Sequence, residues 1–319
     1  MAVIHRSKFT SCTLFLFLTM TLQVYSMDSK NIAYFQPPIV SDKAPDRPLY
    51  GRYDLKKNST SVGLSPVLSQ VPAFNQKGKL LASWNPQNNP STKITFVIVH
   101  GGFGIVPADF AQAIWLRNNF NANVLILDSF WSRGKNENWF ARSQYGVNMR
   151  MLDAIAAGRW LVKEKGVDPR KLFLIGGSQG GWTVLRTFTN DPWISNNVKD
   201  LYAGGISLYP NCLADGSEHS PRLGPYSKNI IVFTGGKDTA TPIAKCNQNI
   251  FRNAALWKHY PEATHSWDSE NPTTKPVDGK CNEAKNPYRP FLVCRDDQAT
   301  YDMRNHIKKY VNEVASKRM

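Results

Sequence analysis

The residues that could do chemistry gather around one serine. Gly176-Gly177-Ser178-Gln179-Gly180-Gly181 matches the pattern G-x-S-x-G. It falls between an apolar run, Leu172 to Gly177, and a segment of helical spacing from Gln179 to about Thr189. In that setting the glycines let the chain turn sharply and lift the serine hydroxyl above a sheet. Ser178 would also open a helix, whose N-terminal dipole favours negative charge on a reacting group. The chemistry implied is nucleophilic acyl transfer, in which serine must lose its proton to a nearby base. The plain alternative is a glycine-rich turn with a capping serine.

Six histidines are candidates for the base. His5 falls in the leader discussed below, His306 in the closing helical stretch, His219 in a polar loop and His259 inside a strand-like run. His100 ends the first buried strand, and its glycine neighbours point to a turn role. His265, in the stretch PEATHSWD (261–268), follows the last strand on the correct edge of the sheet. A base of this kind needs a carboxylate to fix its tautomer and stabilise the imidazolium. Asp238 gives the chain order Ser, Asp, His of strand–turn–helix hydrolases. Asp268 would need a tight local turn, and Asp128 precedes the nucleophile and breaks the order. Donors for a developing oxyanion are expected at His100-Gly101-Gly102-Phe103-Gly104, with the backbone N–H groups of Gly102 and Gln179 as the pair.

These residues must be positioned by regular elements, and the hydropathy pattern supplies them. Two strand-like stretches between Val62 and Trp84 flank a turn at Asn75-Gln76-Lys77-Gly78. Apolar runs then recur at 94–102, 124–130, 172–178, 204–210 and 230–236, and 255–263 reads as a last strand. Such runs suit strands buried on both faces. Helical spacing appears at 107–120, 149–165, 179–189, 242–252 and 300–316. Alternation of this kind predicts an α/β domain, a mainly parallel central sheet with helices on both faces. Ligands bind beyond the carboxyl ends of the strands of such sheets, where the candidate residues fall.

HGG at 100–102, LDSFWSRG (127–134), VDPRKLFLIGGSQGG (167–181), GGKDTATP (235–242) and ATHSWD (263–268) together resemble the dienelactone hydrolase branch of the α/β-hydrolase superfamily. The match covers roughly residues 93 to 268. The resemblance implies the α/β-hydrolase fold, the triad Ser178–Asp238–His265 and paired oxyanion donors. It also implies that Asp128, Ser129, Arg133 and Gly134 shape the pocket floor. His100, Gly101 and Trp267 are further candidates for shaping the pocket. Dienelactone hydrolases proper carry a cysteine nucleophile where this chain has serine, and serine-bearing members hydrolyse other esters. The expected activity is therefore carboxylic ester hydrolysis through an acyl-enzyme, with no cofactor and no metal. Rival readings are a serine peptidase of prolyl-oligopeptidase type, or a non-catalytic binding protein on the same scaffold.

Composition sets the context. The chain has 319 residues, 42% hydrophobic and 20% charged, which suits one large domain without repeats. Residues 1–26 read as a signal peptide: a basic start with Arg6 and Lys8, an apolar stretch from Phe9 to Leu22, then Val24-Tyr25-Ser26. That stretch is shorter than the ~18–20 residues that span a bilayer, so the expectation is a secreted or periplasmic protein without a membrane span. Residues 27–60 are expected to form an extended arm and 61–319 the hydrolase domain.

Beyond Cys12 in the leader, four cysteines allow three pairings: Cys212, Cys246, Cys281 and Cys294. The favoured pairs are Cys281–Cys294, which closes a short Pro/Asn-rich loop within 269–298, and Cys212–Cys246, which joins two neighbouring loops. The net charge of +15 loses two units with Arg6 and Lys8, and the lysines are scattered rather than set in a stripe. That argues against nucleic acid and leaves attraction to anionic surfaces as an expectation. Only about 18 residues separate the strand ending near Pro210 from the one starting near Asn229, too few for a helical cap at ~1.5 Å per residue plus turns. The prediction is an open, partly aromatic cleft, overhung by the stapled loop with Trp267 and Tyr288, for short-acyl or aryl esters.

Overall fold

The structure, a computed structural model, describes residues 64, 67–74, 78–133, 144–210, 229–245, 251, 253–269, 281–284 and 291–317. The expected leader, arm and Cys212–Cys246 pair lie outside these residues, as do Gly134, Tyr288 and the segment expected to be too short for a cap.

Eight strands form one sheet. β1 (Val67–Pro72) and β2 (Lys79–Asn85) make an antiparallel hairpin, and β2 pairs antiparallel with β4 (Asn123–Asp128). The rest of the sheet is parallel: β3 (Thr95–Val99), β4, β5 (Leu172–Gly177), β6 (Gly204–Leu208), β7 (Ile230–Gly235) and β8 (Leu256–Tyr260). The spatial order is β1-β2-β4-β3-β5-β6-β7-β8. After β3 the chain goes one way to β4 and then returns to the other side of β3 as β5. Order reverses there, so the loops leaving β3 and β5 diverge to opposite faces and open a crevice between them.

Period-two alternation decides which helix each side chain meets. Phe96, Ile98, Val124, Ile126, Phe173 and Ile175 point to one face, against α1 (Pro107–Phe120) and the closing helix, residues Asp297–Lys317. Val97, Val99, Leu125, Leu127, Leu172 and Leu174 point to the other, against α2 (Gln144–Lys165) and α3 (Gln179–Thr187). All twelve are fully buried, each contributing roughly 1.5–3 kcal/mol relative to exposure. Both faces are covered, which is why these strands read as unbroken apolar runs.

Several elements differ from expectation. Most of the helix expected at 242–252 lies outside the described residues, and Ile243–Lys245 form a 3₁₀ turn. The last strand ends at Tyr260 rather than at 263, because Pro261 lacks the N–H a ladder needs. A short helix, α4 (Pro192–Val198), was not expected, although Asp191 caps it by accepting from the N–H groups of Trp193 and Ile194. Within the loop expected at 269–298 a small antiparallel pair forms, β9 (Asn282–Ala284) and β10 (Phe291–Val293). The Cys281–Cys294 disulfide closes it. The closing helix is α5 in chain order. Among the described residues no helix is long and apolar enough to cross a membrane.

Candidate active site

The turn from β5 into α3 is tight enough to dictate its sequence. Ser178 sits at φ 56°, ψ −119°, a conformation that non-glycine residues adopt at a cost of about 1–3 kcal/mol. Its N–H donates to the Leu208 carbonyl at 3.0 Å, which holds the strain in place. A Cβ on Gly176 would lie 2.6 Å from the carbonyl carbon of Gly180, and one on Gly180 would collide with the Val99 carbonyl oxygen. Only glycine lets α3 approach β3 and β5 this closely. Gln179, the first residue of α3, has a backbone N–H with no partner four residues back.

The loop leaving β3 faces that turn. An ideal Cβ on Gly101 would sit 3.8 Å from Ser178 Cβ, and one on Gly102 would sit 3.2 Å from the Gln179 side chain. His100 beneath them is fully buried. Its Nε2 accepts from the Ser129 N–H at 3.2 Å, so Nδ1 carries the proton and donates to the Gly101 carbonyl at 2.8 Å. Burial, and next the nearby Arg150 charge, push its pKa well below the usual value, so it is neutral. A neutral, spent imidazole fits a turn-holding role and not that of a base.

His265 is differently placed. Its Nδ1 donates to Asp238 Oδ2 at 2.8 Å, which leaves Nε2 free to accept a proton. Asp238 also accepts from the Thr241 N–H and hydroxyl, both at 2.7 Å. Burial by itself would raise the Asp238 pKa; the His265 charge and these hydrogen bonds outweigh it and hold the carboxyl below its ordinary value. It is a carboxylate built to stay ionised. Asp268, the alternative acid, points elsewhere: it interacts with the Tyr209 hydroxyl, and burial raises its pKa.

Ser178, His265, Gly101 and Gly102 line a common cavity of about 230 Å³. Its walls come from Phe103, Trp115 and Gln112, from Met303 and Ile307 on α5, and from Phe291 and Val293 on β10. The Phe291 ring meets His265 edge-on, with centroids 5.2 Å apart, and stacks on Phe103 at 6.4 Å. Asp109, in the first turn of α1, also lines it; burial pushes its carboxyl up to about 7.

Other expected site residues lie behind this cavity. Asp128 accepts from the N–H groups of Phe130 and Trp131, and Arg133 forms a buried pair with Asp153 at 2.6 Å. Neither lines the cavity, and neither does His100; they brace the loop below it. Trp267 requires a correction. It does not overhang the cleft but is fully buried, edge-on to Tyr209 at 5.1 Å and Tyr260 at 5.5 Å. Its carbonyl accepts from the Asp296 N–H at 3.0 Å and from the Thr300 hydroxyl of α5 at 3.3 Å, so it roots the His265 loop on the start of that helix. Sequence reasoning missed Thr241, Arg150, Asp109 and Phe291. Thr241, three residues after Asp238, carried a turn signal; Arg150, a charge set between Met149 and Met151 in α2, carried another. Among the described residues no cluster of His, Cys, Asp or Glu is suited to a metal.

Solved structures share this architecture. A protein described as a dienelactone hydrolase from Klebsiella pneumoniae subsp. pneumoniae gives a TM-score of 0.55 at 14% identity, over 78% of this chain and 99% of its own. MGS-M1, an α/β-hydrolase enzyme from a Medee basin deep-sea metagenome library, gives 0.54 at 14% identity over 79% and 98%. The chain has the α/β-hydrolase fold. A thermophilic esterase from Thermogutta terrifontis, with butyrate bound, is a further neighbour, at a TM-score of 0.52 and 15% identity over 77% of this chain and 94% of its own. No family model and no curated protein sequence matches the chain.

Proposed function

We propose that this chain is an exported serine hydrolase that cleaves carboxylic esters with a short acyl or an aryl group. The observation that carries the reading is His265, hydrogen-bonded to Asp238 and lining the same cavity as the strained Ser178 and the Gly101–Gly102 loop. In this reading His265 Nε2 takes the Ser178 proton as the hydroxyl oxygen attacks the ester carbonyl. Asp238 stabilises the imidazolium, and the N–H groups of Gly102 and Gln179 receive the oxyanion, each worth roughly 3 kcal/mol. Collapse expels the alcohol, which takes its proton from His265. Water then repeats the sequence on the acyl-enzyme and frees the acid.

The small, aromatic-walled cavity supports short-acyl or aryl groups. Export is supported by the composition of residues 1–26 and by a disulfide, which persists in oxidising compartments. The test is a panel of nitrophenyl esters against peptide anilides with the purified chain and Ser178→Ala. Acetate and butyrate should turn over faster than palmitate by a wide margin, anilides should not turn over, and Ser178→Ala should lose activity while keeping its fold. Preferential cleavage of anilides would replace the esterase reading with a peptidase.

A further inference from the structure

We infer that Arg150 is a positioning residue for the oxyanion-binding groups, its guanidinium bracing the loop after β3 against the side chain of Gln179. The inference rests on the proposed hydrolase reading. Arg150 projects from α2 and is 1% exposed. Burying a guanidinium is costly unless the charge is compensated, so what it touches is informative.

The obvious partner is already taken. Both oxygens of Asp153 accept from Arg133, at 2.8 and 2.6 Å, and Arg133 also donates to the Ser129 carbonyl at 2.7 Å. Arg133 is thus the structural ion pair of this region. Arg150 feels Asp153, Asp109 and Asp128 through space, while its hydrogen bonds run towards the candidate active site. Nη2 donates to the carbonyl of His100, and Nη1 reaches Gln179 Oε1 at 3.5 Å. The guanidinium also lies 5.1 Å from the Phe130 ring, which itself stands edge-on to the His100 imidazole at 4.6 Å.

The consequence follows from peptide geometry. Two successive carbonyls of the loop are held from below: that of His100 by Arg150 and that of Gly101 by His100 Nδ1. In a trans peptide the N–H points opposite to the carbonyl, so anchoring the Gly101 carbonyl turns the Gly102 N–H away from the imidazole. The Gln179 carboxamide packs over Gly102, leaving only 3.2–3.3 Å to an added Cβ. Arg150 therefore joins the two segments whose N–H groups must converge on one oxygen. Such preorganisation acts on the transition state and leaves ground-state binding almost untouched.

The test is a kinetic split in the full chain. Arg150→Met should lower kcat on nitrophenyl butyrate about 10- to 100-fold, with KM within about threefold. Affinity for a trifluoromethyl ketone, which forms a tetrahedral adduct on serine, should fall in parallel. Arg150→Lys should recover part of the loss. Gln179→Leu keeps its backbone donor and should lose about 3- to 10-fold, with little further loss when combined with Arg150→Lys, because the two share one contact. That pair decides the matter if Arg150→Met does not fold. A kcat within twofold of wild type, a defect confined to KM, or fully additive losses in the Lys/Leu pair would overturn the inference while leaving the hydrolase reading intact. A folded wild-type chain with no ester turnover would overturn that reading, and the inference with it.

Discussion

Ser178 follows β5 directly, Gly102 is the third residue after β3, Asp238 the third after β7 and His265 the fifth after β8. The wall opposite them is assembled otherwise: Trp115 from α1, Met303 and Ile307 from α5, and Phe291 from a disulfide-closed hairpin. One side is set by backbone, since hydrogen-bonded strands about 4.8 Å apart fix where each loop begins. The other is set by side chains that converge from segments nearly two hundred residues apart. The strand-end side also concentrates strain and buried charge, at Ser178, Arg150 and Asp238, whereas the wall is largely apolar. On the proposed reading, changes to the wall alter recognition while the strand-end groups keep the chemistry.

The steepest way to test that division is through the acid and the base. His265→Ala and Asp238→Asn should each lower kcat/KM about 10³- to 10⁴-fold on a nitrophenyl ester. Asp268→Asn, on the cavity side, should stay within about tenfold. Steady-state kinetics that reverse this order would move the acid from Asp238 to Asp268 and break the division.

Changes to the wall should read out in KM. Phe291→Ala removes an aromatic contact and should raise KM for an aryl ester about 3- to 30-fold, with kcat within about threefold, as expected for apolar contacts worth ~1–2 kcal/mol. A collapse in kcat instead would show that Phe291 orients His265 and belongs with the machinery. Opening the Cys281–Cys294 bridge, which spans 13 residues, should lower stability by about 3 kcal/mol, measured by denaturant titration of the Cys281→Ser/Cys294→Ser variant. No loss of stability would mean that packing alone holds the hairpin.

The smallest effect concerns Asp109. Its folded pKa of about 7 lies above the ordinary carboxylate value, so the folded state holds this proton more tightly than the unfolded chain. The stability this brings is present below about pH 4 and is lost as pH rises through 7. Asp109→Asn should therefore raise Tm at pH 8 more than at pH 5. An equal shift at both values would show that the carboxyl is ionised throughout.

Legibility in the sequence follows the same divide. The parallel strands, the turn at Ser178 and the solved-structure likeness to α/β-hydrolases agree with what the apolar runs and the glycines imply, because those signals are local. The helix expected at 242–252 rested on spacing after Pro242, and most of it lies outside the described residues. Trp267 read as a loop aromatic because nothing within the loop reveals Tyr209 and Tyr260 packing around it. Phe291 and Arg150 were hidden for the same reason: their roles depend on partners 26 to 50 positions away, His265 for one and His100 for the other.

In the proposed function Ser178 is the nucleophile, and the residues at the strand ends activate it. Intact-mass and peptide mass spectrometry after treatment with a fluorophosphonate tests it directly. One adduct per chain is expected, on the peptide carrying Ser178, formed rapidly by wild type and slowly or not at all by His265→Ala. An adduct on another residue, or none on a folded wild-type chain, would contradict it.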